Sequence, residues 1–296
     1  MPDHNDHQTR FLLPAAGVRG IVVRLQDTWR EVQAHGDSPP LARDLLGQAC
    51  AAAALFTGHV KVNGRLSLQL RSGGALRTLF AECTAHGTVR GIAQLQPGLD
   101  APADLRELGS DAVLAITIEN PGLDPREPQR YQSLVALARA SLAPALEDYF
   151  VQSEQLPTRL LLATDAGQAV GLMLQKLPGD EGDQDGWNRA GALFDTLHVD
   201  EFLDTGADQL LHRLFHEEGV EVLARHPLQF GCSCSRDRVA AMLQSLGPEE
   251  ATAAVIGGHA EVRCEFCGQR YRFSEEDVVE LLALPPVGIQ APERLQ

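Results

Sequence analysis

Arg65-Leu66-Ser67-Leu68-Gln69-Leu70-Arg71 runs through Ser72-Gly73-Gly74-Ala75 into Leu76-Arg77-Thr78-Leu79-Phe80. Leucine takes every second position of the first seven residues, the period of a strand with one face buried. Gly73-Gly74 then predicts a two-residue hairpin turn, and a second strand is expected over 76–82. Outward from this pair, strands are predicted at 18–25, 113–118, 160–163 and 170–174. Helices are predicted at 28–35, at 40–56, which has a proline at its start, and at 143–152. Strand follows strand more often than it alternates with helix. The expected fold class is therefore α+β, a mixed sheet-and-helix domain over residues 1–177. The loop 120–129 carries Pro121, Pro125 and Pro128 and reads as an exposed excursion.

The stretch 178–186 changes character. Three glycines and four acids in nine residues cannot build a core, so it reads as a flexible linker opening a helical region over 178–226. Helices are expected at 187–197 and 207–218. In the second, Leu210, Leu211, Leu214 and Phe215 form an apolar stripe on one face, and Gly219 supplies a stop.

Composition narrows the function classes. Hydrophobic residues make up 44% and charged residues 22%, the balance of an ordinary globular protein. The net charge of −15 argues against a general nucleic-acid binder, which needs positive potential to displace counterions. The start of the chain has no basic flank and apolar run of a signal peptide, and the run at 49–56 is too short to span a bilayer. A cytosolic protein with no membrane partner is expected, and cytosolic thiols stay reduced.

Four of the six cysteines fall late in the chain, as Cys232-Ser233-Cys234 and Cys264-Glu265-Phe266-Cys267. Two close thiolate pairs folded together make a four-sulfur shell, the donor set structural zinc prefers. Gly268 permits the tight turn that lets both sulfurs of the second pair meet one ion. The expectation is one zinc ion held by Cys232, Cys234, Cys264 and Cys267 in a C-terminal domain over 227–296. That domain is expected to contain a helix at 236–246 capped by Ser235, strands at 261–263 and 270–273, and a capping box at 274–277. So few large apolar groups imply a unit that needs its metal to fold. A static zinc knuckle is one reading. A redox switch is the other, since each pair is close enough to oxidise within itself.

The remaining motifs carry less. Cys50 and Cys83 stand in helix and strand patterns and read as core packing. His212 and His216 have i, i+4 spacing without the glutamate a zinc protease places after the first histidine, so a polar helix face is expected. No phosphate-binding glycine loop, nucleophile elbow or acid pair is evident, so no catalytic residue is assigned and no enzyme is expected.

Phe230-Gly231-Cys232-Ser233-Cys234-Ser235-Arg236-Asp237-Arg238 with Cys264-Glu265-Phe266-Cys267-Gly268 resembles the zinc motif of the bacterial redox-regulated chaperones called the 33 kDa chaperonin, or heat shock protein 33, family. Glu147-Asp148-Tyr149-Phe150 through Ser153-Glu154-Gln155-Leu156-Pro157-Thr158-Arg159 is similar to that family's long internal signature. Val18-Arg19-Gly20, Arg130-Tyr131-Gln132 and His216-Glu217-Glu218 also match in order, so the resemblance covers about residues 10–285. It implies an ATP-independent holdase that is zinc-bound and inactive when reduced. Oxidation would form Cys232–Cys234 and Cys264–Cys267 disulfides, release zinc and give an active homodimer that binds unfolding proteins. The 210–215 stripe would then be a candidate client surface. Competing classes are a zinc-dependent nucleic-acid binder and a thiol oxidoreductase. Against the first, residues 225–280 hold six arginines and nine acids, a net of −3 with no basic stripe.

Overall fold

The computed structural model describes residues 6–36, 38–60, 62–122, 128–179, 183 and 185–283. Contacts divide the chain into two compact units, Met1–Gly231 and Cys232–Gln296. The first begins with β1 (His7–Leu13), β2 (Val18–Leu25), α1 (Asp27–Ala34), α2 (Pro40–His59), β3 (Arg65–Arg71), β4 (Leu76–Thr84) and β5 (Thr88–Leu95). It continues with β6 (Val113–Asn120), β7 (Gln129–Val135), α3 (Leu142–Tyr149), β8 (Thr158–Thr164) and β9 (Ala169–Lys176). Then come α4 (Gly186–Asp195), α5 (Val199–Asp204), α6 (Ala207–Phe215), β10 (Glu221–Pro227) and β11 (Gln229–Phe230). The class is α+β, as the strand-rich pattern predicts.

A five-stranded sheet has the order β10-β1-β2-β9-β8, and a six-stranded sheet the order β11-β5-β4-β3-β6-β7. The predicted β3–β4 hairpin forms, with Leu70 opposite Leu79 and Arg71 opposite Thr78. Its turn is longer than two residues, because Ser72 N–H donates to the Arg77 carbonyl and leaves 73–76 as the loop. The Ser72 hydroxyl and the Asp111 carboxylate take up the loop's polar groups, so neither glycine needs a positive φ. The tip of the excursion between β6 and β7, residues 123–127, lies outside the described residues. So do 180–182 and 184 of the predicted linker.

Helix α2 lies in the core shared by the two sheets, and its residues Ala49 to Leu55 are at most 1% exposed. A helix that is apolar all round must be covered all round. Small residues let both sheets approach. A Cβ on Gly91 of β5 would fall 2.8 Å from Cys50 Sγ, and one on Gly171 of β9 would fall 2.6 Å from a Leu55 methyl.

The outer face of the five-stranded sheet carries a second core, in which Phe11, Val18, Val22, Val170, Leu172 and Leu174 meet α4 to α6. Arg24 of β2, 6% exposed, ties the end of α5 to this sheet by donating to the carbonyls of Phe202, Leu203 and Thr205. Those carbonyls have no partner within the helix, so the guanidinium satisfies groups that water would otherwise have to reach. Residues 187–195 and 207–215 are helical as expected, and α5 is an element the sequence pattern did not show. Ahead of β8, α3 ends at Tyr149 and a π-turn over Phe150–Glu154 closes into left-handed Gln155, where a helix to 152 was predicted.

The second unit holds α7 (Arg236–Leu246), α8 (Pro248–Ala253), β12 (Val255–Ile256), β13 (His259–Arg263), β14 (Arg270–Ser274) and α9 (Glu275–Ala283). Its three strands pair in the order β12-β13-β14. Among the described residues its core is a cluster of six buried side chains: Val239, Leu243, Ala251, Ala260, Phe273 and Val278. Two are alanines, so apolar burial is slight for this length of chain.

Candidate metal centre

Local geometry brings the four late cysteines together from two elements. Ser235 caps α7, its hydroxyl accepting from Arg238 N–H at 3.2 Å, so Cys234 lies at the positive end of that helix. The second pair occupies the turn between β13 and β14. Cys264 N–H donates to the Gln269 carbonyl and Gly268 N–H to the Cys264 carbonyl, both at 2.8 Å, and Gly268 takes φ +68°. A side chain at 268 would strain that turn, as the sequence implied.

All four sulfurs lie within 4.8 Å of one another, the one such group of metal-donor residues among those described. Cys232 Sγ is 3.7 Å from Cys264 Sγ, and Cys234 Sγ is 3.3 Å from Cys267 Sγ. Zinc–sulfur bonds of about 2.3 Å in a tetrahedron require sulfur–sulfur edges of about 3.8 Å, so the cluster is sized for such an ion. Its chemistry points the same way. As free thiols, burial and then the neighbouring sulfurs push Cys267 up to about 12, against a backbone hydrogen bond from Gln269. A divalent cation reverses that penalty by holding all four as thiolates.

The surroundings lock the cluster in place. Tyr271 O–H donates to Cys234 Sγ at 3.1 Å, and this bond, ahead of burial, raises the phenol to about 12. Arg236 lies 4.2 Å over the Phe273 ring and donates to the Arg272 carbonyl and to Asp277. Ser274 and Asp277 form the predicted reciprocal capping box at the start of α9. Sequence reasoning missed Tyr271, since nothing in the pattern of a strand tyrosine announces a sulfur partner.

Other candidates fall elsewhere. Leu210, Leu211, Leu214 and Phe215 are at most 8% exposed, covered by the outer face of the five-stranded sheet. Cys50 and Cys83 are buried in the main core. Burial chiefly pushes both thiols up to about 12, with Cys83 adding to the effect on Cys50, so neither is a ready nucleophile. His212 and His216 stack at 5.3 Å with no third donor among the described residues. Of the described residues, no helix is long and apolar enough to cross a membrane.

Comparison with known proteins agrees with the site. The family model described as Hsp33 protein matches residues 6–274. The 33 kDa chaperonin of Ectopseudomonas mendocina (strain ymp) is 42% identical over 98% of this chain and 99% of its own. That of Chromobacterium violaceum is 40% identical over 94% of each. The crystal structure of the 33 kDa chaperonin from Thermotoga maritima superposes with a TM-score of 0.77 at 25% identity, covering 95% of this chain and 98% of that one. Matched along nearly its whole length, and carrying four clustered sulfurs, the chain belongs to the Hsp33 chaperone family.

Proposed function

We propose that this protein is a cytosolic, ATP-independent holdase whose activity is set by the redox state of Cys232, Cys234, Cys264 and Cys267. The observation that carries this reading is a four-sulfur cluster in a unit whose apolar core, among the described residues, is a cluster of just six buried side chains. Those cysteines would hold one zinc ion in the resting protein. Zinc binding in small modules contributes about 10–16 kcal/mol, comparable to or larger than the ~5–15 kcal/mol stability of a whole domain.

Oxidation removes the donors. Each disulfide forms by loss of two electrons from two thiolates, taken up by one hydrogen peroxide that, with two protons from solvent, leaves as two waters. The pairing implied by family resemblance is Cys232–Cys234 and Cys264–Cys267. Such short loops constrain the unfolded chain little, so they would not replace the ion's contribution. The unit then loses its order. The stripe of Leu210, Leu211, Leu214 and Phe215, buried on the sheet at rest, becomes the client surface once α4 to α6 leave it, and two oxidised copies associate. Unfolding proteins, rather than nucleic acid or membrane, are the partners.

The test follows zinc release, far-ultraviolet dichroism and suppression of aggregation of a denatured client during peroxide treatment. The three signals should change together, and peptide mapping should find the two short-loop disulfides. Equal aggregation suppression by reduced and oxidised protein would sink the proposal.

A further inference from the structure

Where α2 ends, the five-stranded sheet carries a polar site on its inner face. Across the registers Arg10 lies opposite Ile21, Leu12 opposite Arg19, Ile21 opposite Met173 and Arg19 opposite Gln175, so strand alternation gathers these residues on one face. With Gly58 and His59 they line a cavity of about 130 Å³. A water needs roughly 10–15 Å³ on this scale, so a ligand of several heavy atoms fits.

The charges in this cavity are one-sided. Arg19 Nε donates to Gln175 Oε1 at 3.1 Å, and Nη2 reaches the same oxygen and His59 Nε2, the latter at 3.2 Å. Arg19 Nη1 and the whole Arg10 guanidinium have no partner among the described residues, and no carboxylate lines the cavity. The carbonyl end of α2 offsets only about half a unit charge. Burial, then Arg19 and Arg10, hold His59 down to about 3, which leaves the ring neutral at pH 7 as an acceptor for Arg19. Burial and Arg10 also lower Arg19. Two cations facing a part-apolar cavity without an acid are an unbalanced arrangement that an anion would complete. Guanidinium forks match the paired oxygens of carboxylates and phosphates.

We propose that this cavity binds a small organic oxyanion, a carboxylate or phosphomonoester. Its charged head lies between Arg10 and Arg19 Nη1, and its short apolar body lies against Leu12, Ile21 and Met173.

The test is calorimetric titration of the reduced, zinc-loaded full chain with butyrate and, separately, with phenyl phosphate. A background of about 0.15 M chloride suppresses diffuse attraction. At least one anion should saturate at a single site, and which one does separates carboxylate from phosphomonoester. Arg10→Ala removes an exposed side chain and leaves the fold intact, and it should weaken that binding about tenfold or more, as should Arg19→Gln. Arg77→Ala, on the other sheet, should bind as the native chain does. No saturable binding of either anion, or unchanged binding by Arg10→Ala, overturns the proposal.

Discussion

Phe215 of α6 stacks on Phe11 of β1, with ring centroids 6.2 Å apart and planes 24° from parallel. Both rings are fully buried, so the helical segment is held to the sheet by contact area rather than by charge. Removing a buried phenylalanine side chain costs about 3–5 kcal/mol. Phe215→Ala is expected to free α4 to α6 while β3 to β6 stay ordered. Amide exchange in the reduced protein reads this directly: residues 186–218 should lose protection and the six-stranded sheet should keep it. If the stripe is the client surface, the reduced variant should also suppress aggregation in part. Unchanged exchange in 186–218 would show that other contacts hold the segment.

Tyr271 tests the setting of the sulfurs. Its hydroxyl is the polar group nearest Cys234 in the described hydrogen bonding, and such outer partners typically change metal affinity about 10–100-fold. Tyr271→Phe keeps the ring and removes the donor. Zinc affinity, measured by competition with a chromophoric chelator, is expected to fall by about tenfold, with faster loss of the ion under peroxide. Native affinity in the variant would reduce the phenol to packing.

Several of these relationships were legible in the sequence and others could not be. Strict alternation at Arg65–Arg71 marked β3 because one face is buried and the other wet. β10, Glu221–Pro227, is exposed along nearly its whole length and carries no such period. It is a strand because its backbone pairs with β1, some two hundred residues earlier, and local pattern cannot report a partner so remote. β1 hides for a related reason, since Gln8 and Thr9 are buried polar residues that interrupt its apolar count. The cysteine cluster was visible because ligand spacing is itself local. The cover of the 210–215 stripe was not, because a periodic face says that something packs on it and not what. Arg24 and the Arg10–Arg19 cavity likewise exist only once register brings distant strands together.

Chelation separates the two units. If the four sulfurs hold zinc as proposed, a strong zinc chelator under reducing conditions should remove it. The six-residue core of the second unit is then too small to offset chain entropy of about 1–2 kcal/mol per residue. Limited proteolysis is expected to cut within 232–283 and, as α4 to α6 leave the sheet, within 186–218, while the body from β1 to β9 resists. Retention of α7 and α9 amide protection in the stripped protein would instead show that apolar packing alone suffices.

His59 gives the fold a pH dependence of definite sign. Its folded pKa, held down to about 3 by burial and by Arg19 and Arg10, lies below that of an unfolded histidine. Between the two values the unfolded chain binds more protons, so stability falls as pH drops through this window. From pH 7 to pH 5 the loss is at most about 2 kcal/mol from this residue. Other titrating groups contribute equally to native and variant chains, so the difference between the two isolates His59. His59→Gln keeps an acceptor for Arg19 Nη2 but cannot titrate. Urea midpoints of the native first-unit transition should decline towards pH 5, and those of the variant should decline measurably less. Parallel curves would place the ring in water in the folded state, with Arg19 and Gln175 paired without it.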